Sequence, residues 1–434
     1  MVSPYASPVV PVLGPLPPRE ARRFDIVLWG ATGFTGKLVA EYLAKHHGVG
    51  TGLSWALAGR SQGKLEAVRN ALSADSPRAK ELPLLLGDGT DRASLDQIAR
   101  EARVIITTVG PYALHGRALV GACVDAGTDY VDLAGETPFI RAMIDEHHVR
   151  AKQTGARIVH SCGYDSIPSD LGVLMLQEHA QQKYGARAPI VRFFAGEAKG
   201  SMSGGTVASM LNLVEEATKD RRVRRIAGDP YALDPGRETR GPDGSDQAGV
   251  RWDSDSGRWT APFLMAAINT RIVRRSNALL GYAYGKDFRY SEAMSFGSGP
   301  KGFLAATAMT AALGGLMVAL ATKPGRTILQ RTVLPAPGEG PSREARESGY
   351  FTSRLYGTVV GDRGSAKLLA TVKGTADPGY GETAKMISES AISLVRDGSA
   401  IRQEGGVLTP ASCMGIPLVE RLRKAGMTFD VTER

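Results

Sequence analysis

Three glycines, Gly30, Gly33 and Gly36, stand three residues apart in FDIVLWGATGFTGKLVAEYLAKHH, between an apolar run and a segment of helical periodicity. Such spacing suits a loop that wraps a diphosphate. Gly30 permits the tight turn out of a strand, Gly33 lets the backbone approach phosphate with no Cβ between, and Gly36 lets the helix press on the strand. Thr32, Phe34 and Thr35 complete the loop. Free N–H groups at the helix start would add partial positive charge. The G-x-x-G-x-x-G spacing is a variant of the commoner G-x-G-x-x-G, so the flanking strand and helix carry the reading.

The end of the second apolar run selects the dinucleotide. An NAD site places a carboxylate there for the ribose hydroxyls, whereas this chain has Gly59–Arg60–Ser61, with Lys64 a turn later. A guanidinium and a hydroxyl in that place predict NADP(H), with Arg60 and Ser61 reading the 2′-phosphate. Asp88, ending the third run, would meet the adenine amino group or close a turn. Gly110 and Pro111 end the fourth run, where the nicotinamide half would lie. Gly135–Glu136 and Cys162–Gly163–Tyr164–Asp165–Ser166 end the fifth and sixth. Ligands of open parallel sheets bind at those ends.

The elements that must hold these residues alternate. Apolar strands begin at Phe24, near Leu53, and in LPLLLGD, RVIITTVGPY, DYVDLAGE and ARIVHSCGYDS, with helical segments between them. Six such alternations with short connections specify a doubly wound parallel sheet covered on both faces. Beyond Pro168 the rhythm changes to mixed strands and helices, with a Gly/Pro/Asp-rich loop over 228–257. DRGS separates two strands that suit a hairpin. GGVLTPASCMGIPLVERLRKAGMTFDV reads as a helix followed by a final strand.

The chain has 434 residues, enough for two domains, with 43% hydrophobic and 22% charged residues. That composition is ordinary for a soluble enzyme. A net charge of +9 suits an anionic partner or a solubilising surface. No zinc spacing, RNP-like motif or recognition helix accompanies it, so no nucleic-acid partner is expected. Three scattered cysteines give no disulfide framework and no metal site, which points to a cytoplasmic protein. The proline-broken N-terminal stretch lacks the charged start of a signal peptide and reads as a disordered arm.

GATGFTG, AGRS, TVGPYALHGRALVGACVDAGTDYVDLAGE and CGYDSIPSDLG together resemble the saccharopine dehydrogenase-like oxidoreductases. Within that group the chain is most similar to the trans-acting enoyl reductases of actinobacterial polyketide-lipid synthesis, through the late GGVLTP and LVERLRKAGMTF. The resemblance implies an α/β protein with a Rossmann-type doubly wound parallel sheet, a second α+β domain and a C-terminal helix returning to the first. It implies NADP(H) and reduction of an enoyl double bond on a carrier-bound polyketide or lipid intermediate, feeding phthiocerol- and phenolic-glycolipid-type lipids. Residues 1–22 are then the Pro-rich arm, 23–168 the NADP-binding domain, 169–380 the substrate and oligomerisation domain, and 381–434 the returning helices. A homodimer is compatible with this plan.

Enoyl reduction needs a hydride at one carbon, a proton at its neighbour, and a donor for the thioester carbonyl. Tyr112, Tyr164 and His115 are the candidate donors, with Asp165 orienting one of them or capping the next helix. Gly200–Met210 would line an acyl channel, bind an anion or simply enter a helix. Saccharopine-forming relatives reduce an imine of an amino acid and would use carboxylate-binding arginines. Arg271, Arg274 and Arg275 could serve so, but RIVRR reads more simply as a solvated face. Phe303–Thr322 is long and apolar enough for three readings: a membrane span, an element facing a membrane, lipid body or acyl chain, or a buried core or dimer helix.

Overall fold

The computed structural model describes residues 16–200, 204–236, 240–322, 324–326 and 340–434. Residues 1–15 of the expected arm lie outside them, and its end is anchored. Arg19 donates to Asp129 (3.1 Å) and to the carbonyls of Gly127 (2.7 Å) and Gly155 (2.9 Å), and Arg22 donates to Ala102 (2.8 Å). These guanidiniums satisfy carbonyls beneath the sheet and hold a single turn, Arg19–Ala21, in place of a free tail.

β1 (Phe24–Trp29), β2 (Trp55–Gly59), β3 (Leu84–Leu86), β4 (Ala102–Thr107), β5 (Asp129–Val131) and β6 (Arg157–Val159) form a parallel sheet in the order β6-β5-β4-β1-β2-β3. Both faces are covered, which is why these runs are apolar throughout rather than alternating. Ile26 and Leu28 of β1 pack towards α1 (Phe34–His46) and α2 (Gln62–Asp75). Val27 and Trp29 pack towards α3 (Arg92–Glu101), α5 (Arg117–Ala126) and α6 (Thr137–Thr154); a short turn, α4 (Tyr112–His115), precedes α5. The helix Thr383–Arg396 returns to pack on α1 and β4.

A seventh strand, β13 (Gly406–Leu408), extends this sheet beside β6, with Val407 opposite Ile158. It corrects the reading of GGVLTP as the start of a helix. Three residues are too few to show a period, and their partner lies far away in sequence.

The second sheet runs β14-β12-β11-β7-β10-β9-β8. β7 (Ile190–Lys199) is parallel to β10 (Arg289–Ser295) and antiparallel to β11 (Tyr350–Gly361). β11 and β12 (Gly364–Gly374) form the hairpin, Gly361 opposite Gly364. β8 (Arg251–Asp253) and β9 (Arg258–Ala261) lie at one edge, and β14 (Thr428–Glu433) joins β12 at the other. The C-terminus therefore serves both sheets. α7 (Ile167–Tyr184) is buried along most of its length because this sheet covers one side and the helices Ala266–Leu279, Pro410–Cys413 and Gly415–Lys424 pack on the others.

α10 (Ala266–Leu279) corrects a second expectation. Arg271, Arg274 and Arg275 are 3%, 4% and 1% exposed, not a solvated face. Arg271 pairs with Asp246, and Arg274 Nε lies 2.8 Å from Asp243. Arg274 also donates to the carbonyls of Pro230 and Tyr290, both at 2.9 Å. Arg275 donates to the carbonyls of Leu233 and Val407. Burial, together with Arg141, brings the Arg275 guanidinium down to about 9. The arginines clip segments of the 229–246 loop to the helix, and none of the three lines the cleft described below. Arg274→Met should destabilise the protein by about 3–5 kcal/mol, because Asp243 loses its buried partner. Urea unfolding measures that, and NADPH affinity should stay within about twofold, a change under 0.5 kcal/mol. A tenfold loss of affinity at unchanged stability would contradict the clip.

Candidate active site

The carboxyl ends of β1, β2 and β4–β6 face one edge of the sheet, so the loops that follow them meet there. Gly30 has φ +84°, and a Cβ there would lie 2.4 Å from Val109 Cγ2. A Cβ on Gly36 would lie 2.2 Å from the Gly30 carbonyl oxygen, so this glycine sets how closely α1 sits on β1. Gly33 is exposed, and a Cβ there would meet only Gly30 O, at 3.4 Å. It precedes α1 with no side-chain cap, which leaves the helix N-terminus open to an anion. The loop fits a dinucleotide diphosphate.

The adenosine side is equally compatible. Arg60 is exposed, Ser61 is half-buried ahead of α2, and Lys64 lies a turn further on. Asp88 takes the turn role: its Oδ1 accepts from the Thr90 N–H and hydroxyl, both at 2.8 Å. Those two donors, and the charge of Arg60, hold its carboxyl below the usual range. Thr32 faces a groove beside Lys64, whereas Thr35 faces the opposite cleft. The Phe34 ring packs edge-on to Tyr380 (4.9 Å) beneath the Arg346 guanidinium (5.4 Å), so it braces the loop against the second domain.

That opposite cleft, of about 210 Å³, collects most of the remaining candidates. Gly110, Tyr112, Gly135, Glu136, Tyr164 and Asp165 line it from the first domain. α8 (Gly204–Lys219) closes it with Ser209, Met210, Leu213 and Val214. Leu264, Met265 and Ile268 come from α10 and the segment before it, and Met317 from α11 (Gly299–Ala321). Among the described residues the lining holds no Lys, Arg or His. Pro111 stands at the rim as the cap residue of α4.

Glu136 ties the cleft together. One oxygen accepts from the Tyr112 N–H (2.8 Å) and the Ser209 hydroxyl (2.7 Å), and the other from the Ala113 N–H (2.9 Å). Burial raises its pKa, while the three donors oppose that shift. It thus fixes the loop after β4 and links it to α8. The position of Glu136 at a strand end is readable in the sequence, and Ser209 falls within Gly200–Met210, the stretch expected to line an acyl channel, but nothing local pairs the two.

The three proposed donors separate. Tyr112 brings its ring to the cleft, but its hydroxyl donates to the Thr107 carbonyl (3.2 Å) and accepts from the Leu133 N–H (3.1 Å). It is committed to holding backbone. His115 is exposed and does not line the cleft, because it lies one turn beyond Tyr112 on α4. Tyr164 lines the cleft, and its hydroxyl has no hydrogen-bond partner among the described residues. Burial, with Glu292 and Asp165 nearby, raises its pKa. Its ring rests edge-on against Phe351 at 4.8 Å.

α11 removes the core-helix reading within the chain. Gly302, Ala306 and Leu320 are its buried residues, whereas Leu304 and Val318 are 65% and 66% exposed. Phe303 meets Trp259 edge-on at 4.9 Å. The helix is long and apolar enough to cross a membrane by length and composition. Part of this lining falls in stretches the sequence singles out, Gly205, Thr206, Ser209 and Met210 within Gly200–Met210 and Met317 within Phe303–Thr322. Leu213, Val214, Leu264, Met265 and Ile268, by contrast, carry no local mark of what they face.

Residues 26–159 match the family described as saccharopine dehydrogenase NADP binding domain. Over 420 residues, 95% of this chain and 98% of the other, the sequence is 44% identical to a Mycobacterium tuberculosis protein assigned as a trans-acting enoyl reductase. It is 41% identical over 421 residues, with the same coverage, to a trans-acting enoyl reductase of Mycobacterium ulcerans. Among solved structures, saccharopine dehydrogenase (L-Glu forming) from Saccharomyces cerevisiae aligns with TM-score 0.54 at 12% identity, covering 95% of this chain and all of that one. That likeness concerns the fold.

Proposed function

Because the chain belongs to the family of the mycobacterial trans-acting enoyl reductases and carries an NADP-binding domain of the saccharopine dehydrogenase type, we propose that it reduces a carbon–carbon double bond in an enoyl thioester. The substrate is a polyketide or lipid intermediate held on an acyl carrier domain, of the kind that leads to phthiocerol- and phenolic-glycolipid-type lipids. The observation that carries this is the cleft: apolar walls, two carboxyl groups and no basic side chain among its described lining residues. An amino-acid imine would bring carboxylates that no described lining residue neutralises, and the α10 arginines do not line the cleft.

NADPH, when bound, supplies the hydride for the β-carbon. Gly30, Gly33, Gly36 and the start of α1 would hold its diphosphate, with Arg60 and Ser61 at the 2′-phosphate and Gly110 beside the nicotinamide. Tyr164 offers a free hydroxyl to the thioester carbonyl, where enolate charge develops. Incubation with NADPH and a carrier-bound enoyl thioester, against NADPH with lysine and 2-oxoglutarate or with glutamate and aminoadipate semialdehyde, tests the assignment. Cofactor oxidation only with the thioester is expected. Oxidation only with the amino-acid mixture would reverse it, and no oxidation with either would favour a non-catalytic NADP-binding protein.

The exposed apolar face of α11 supports a location at a membrane or lipid-body surface for an otherwise cytoplasmic protein. Arg221, Arg222, Arg224 and Arg225, exposed on the helix Arg221–Gly228 that follows α8, suit an anionic surface. Flotation with anionic vesicles should carry the protein upward, and full recovery in the soluble fraction would remove this reading.

A further inference from the structure

We propose that Asp165 is the acid that protonates the α-carbon of the enoyl substrate, a role that rests on the enoyl-reductase reading above. Its carboxyl lines the cleft shared with Gly110 and Tyr164, at the carboxyl end of β6. Among the described residues it makes no hydrogen bond and no ion pair. The ordinary structural use of an aspartate here, capping the next helix, is not taken up. Ser166 stands at the cap of α7, without a side-chain cap bond, and donates instead to Asn269 at 3.1 Å. A half-buried carboxyl that faces an apolar cleft with no protein donor among the described residues is the kind of group that functional sites keep.

The two carboxyl groups of the cleft have opposite surroundings. Glu136 receives three donors and is used as an acceptor. Asp165 receives none, and burial with the nearby charge of Asp132 pushes its pKa up to about 7. The other titratable groups facing it are Tyr112, Tyr164 and Glu136, with Glu292 acting on Tyr164. The described lining from α8, α10, α11 and the 379–383 segment is uncharged. The oxygens of Glu136 are taken up by those donors, so Asp165 is the carboxyl of the described lining with an oxygen open to the cleft.

The step balances. Hydride addition at the β-carbon moves the double-bond electron pair onto the thioester as an enolate, oxidising NADPH and reducing the enoyl group. That pair takes the Asp165 proton at the α-carbon: the new C–H bond forms as the carboxyl O–H bond breaks. The carboxylate regains a proton from water after product leaves.

Two measurements test this. In wild type, kcat on the enoyl thioester should fall as pH rises through about 7, because the raised carboxyl loses its proton there. In Asp165→Asn, kcat should drop by about 10²–10⁴-fold, the usual size of a general-acid contribution. NADPH binding should persist in that variant, and its residual rate should lose the basic limb. Asp170 and Glu292 are also raised to about 7. The infrared titration of the cofactor-free protein is therefore read as wild type minus Asp165→Asn, where those two cancel and a protonated-carboxyl band with a midpoint near 7 should remain. If wild type reduces the thioester while Asp165→Asn matches it in rate and pH profile, the proposal is overturned. If the variant does not fold, a wild-type kcat flat from about pH 6 to 9, across the range where a general acid must titrate, overturns it instead. If wild type is inert with the thioester, the enoyl-reductase reading fails, and the infrared band still decides whether Asp165 is held as an acid. Its absence sinks the inference independently.

Discussion

Gly33→Ala is expected to unfold like wild type yet bind NADPH at least about tenfold more weakly, a loss of about 1.4 kcal/mol or more. Gly36→Ala is expected to lose both stability and binding. The difference follows from what each added methyl meets. At position 33 the backbone (φ −72°, ψ 165°) accepts any L-residue, and the nearest atom is a carbonyl oxygen at 3.4 Å. A penalty there can come only from something that approaches from outside, which is where a diphosphate would lie. At position 36 the methyl falls 2.2 Å from Gly30 O and 3.0 Å from Ala31 Cα. Both are backbone atoms that cannot rotate away, so α1 must lift from β1 at a cost of about 1–3 kcal/mol. Thermal unfolding and fluorescence titration of the two variants measure this. Normal NADPH affinity in Gly33→Ala would remove the close approach of phosphate from the account.

Arg60→Ala is expected to weaken NADPH by about 10–100-fold and leave NADH unchanged. A hydrogen bond to a charged group contributes about 1.5–3 kcal/mol, and the 2′-phosphate is the group that distinguishes the two nucleotides. Arg60 lies exposed after β2 with no carboxylate at the strand end to compete for it. Its contact would be salt-sensitive, so the preference for NADPH should narrow as ionic strength rises. Parallel titrations of wild type and variant with both nucleotides check this. Equal affinities in wild type would show that Arg60 reads nothing.

Much of this site was legible because it is local. The glycine loop, Arg60 and the strand ends each lie within a few residues of a change in periodicity, and parallel topology brings strand ends to one edge without further instruction. Asp165 was visible but ambiguous. An aspartate ahead of a helix reads equally well as a cap, and only the placement of Ser166 and the absence of a donor separate the two uses. The α10 arginines were misread for a related reason. Three cations in five residues resemble a solvated face until the 229–246 loop folds over them with Asp243 and Asp246.

The sequence alone determined the doubly wound sheet and the glycine turn after β1, and it placed Arg60 at the end of β2, because each depends on short-range backbone geometry and side-chain chemistry. Tertiary structure decided which tyrosine and which carboxyl have no partner among the described residues, and which apolar side chains from α8, α10 and α11 wall the cleft. Those outcomes depend on partners far apart in the chain, and a side chain's chemistry in the cleft is set by what those partners leave unsatisfied.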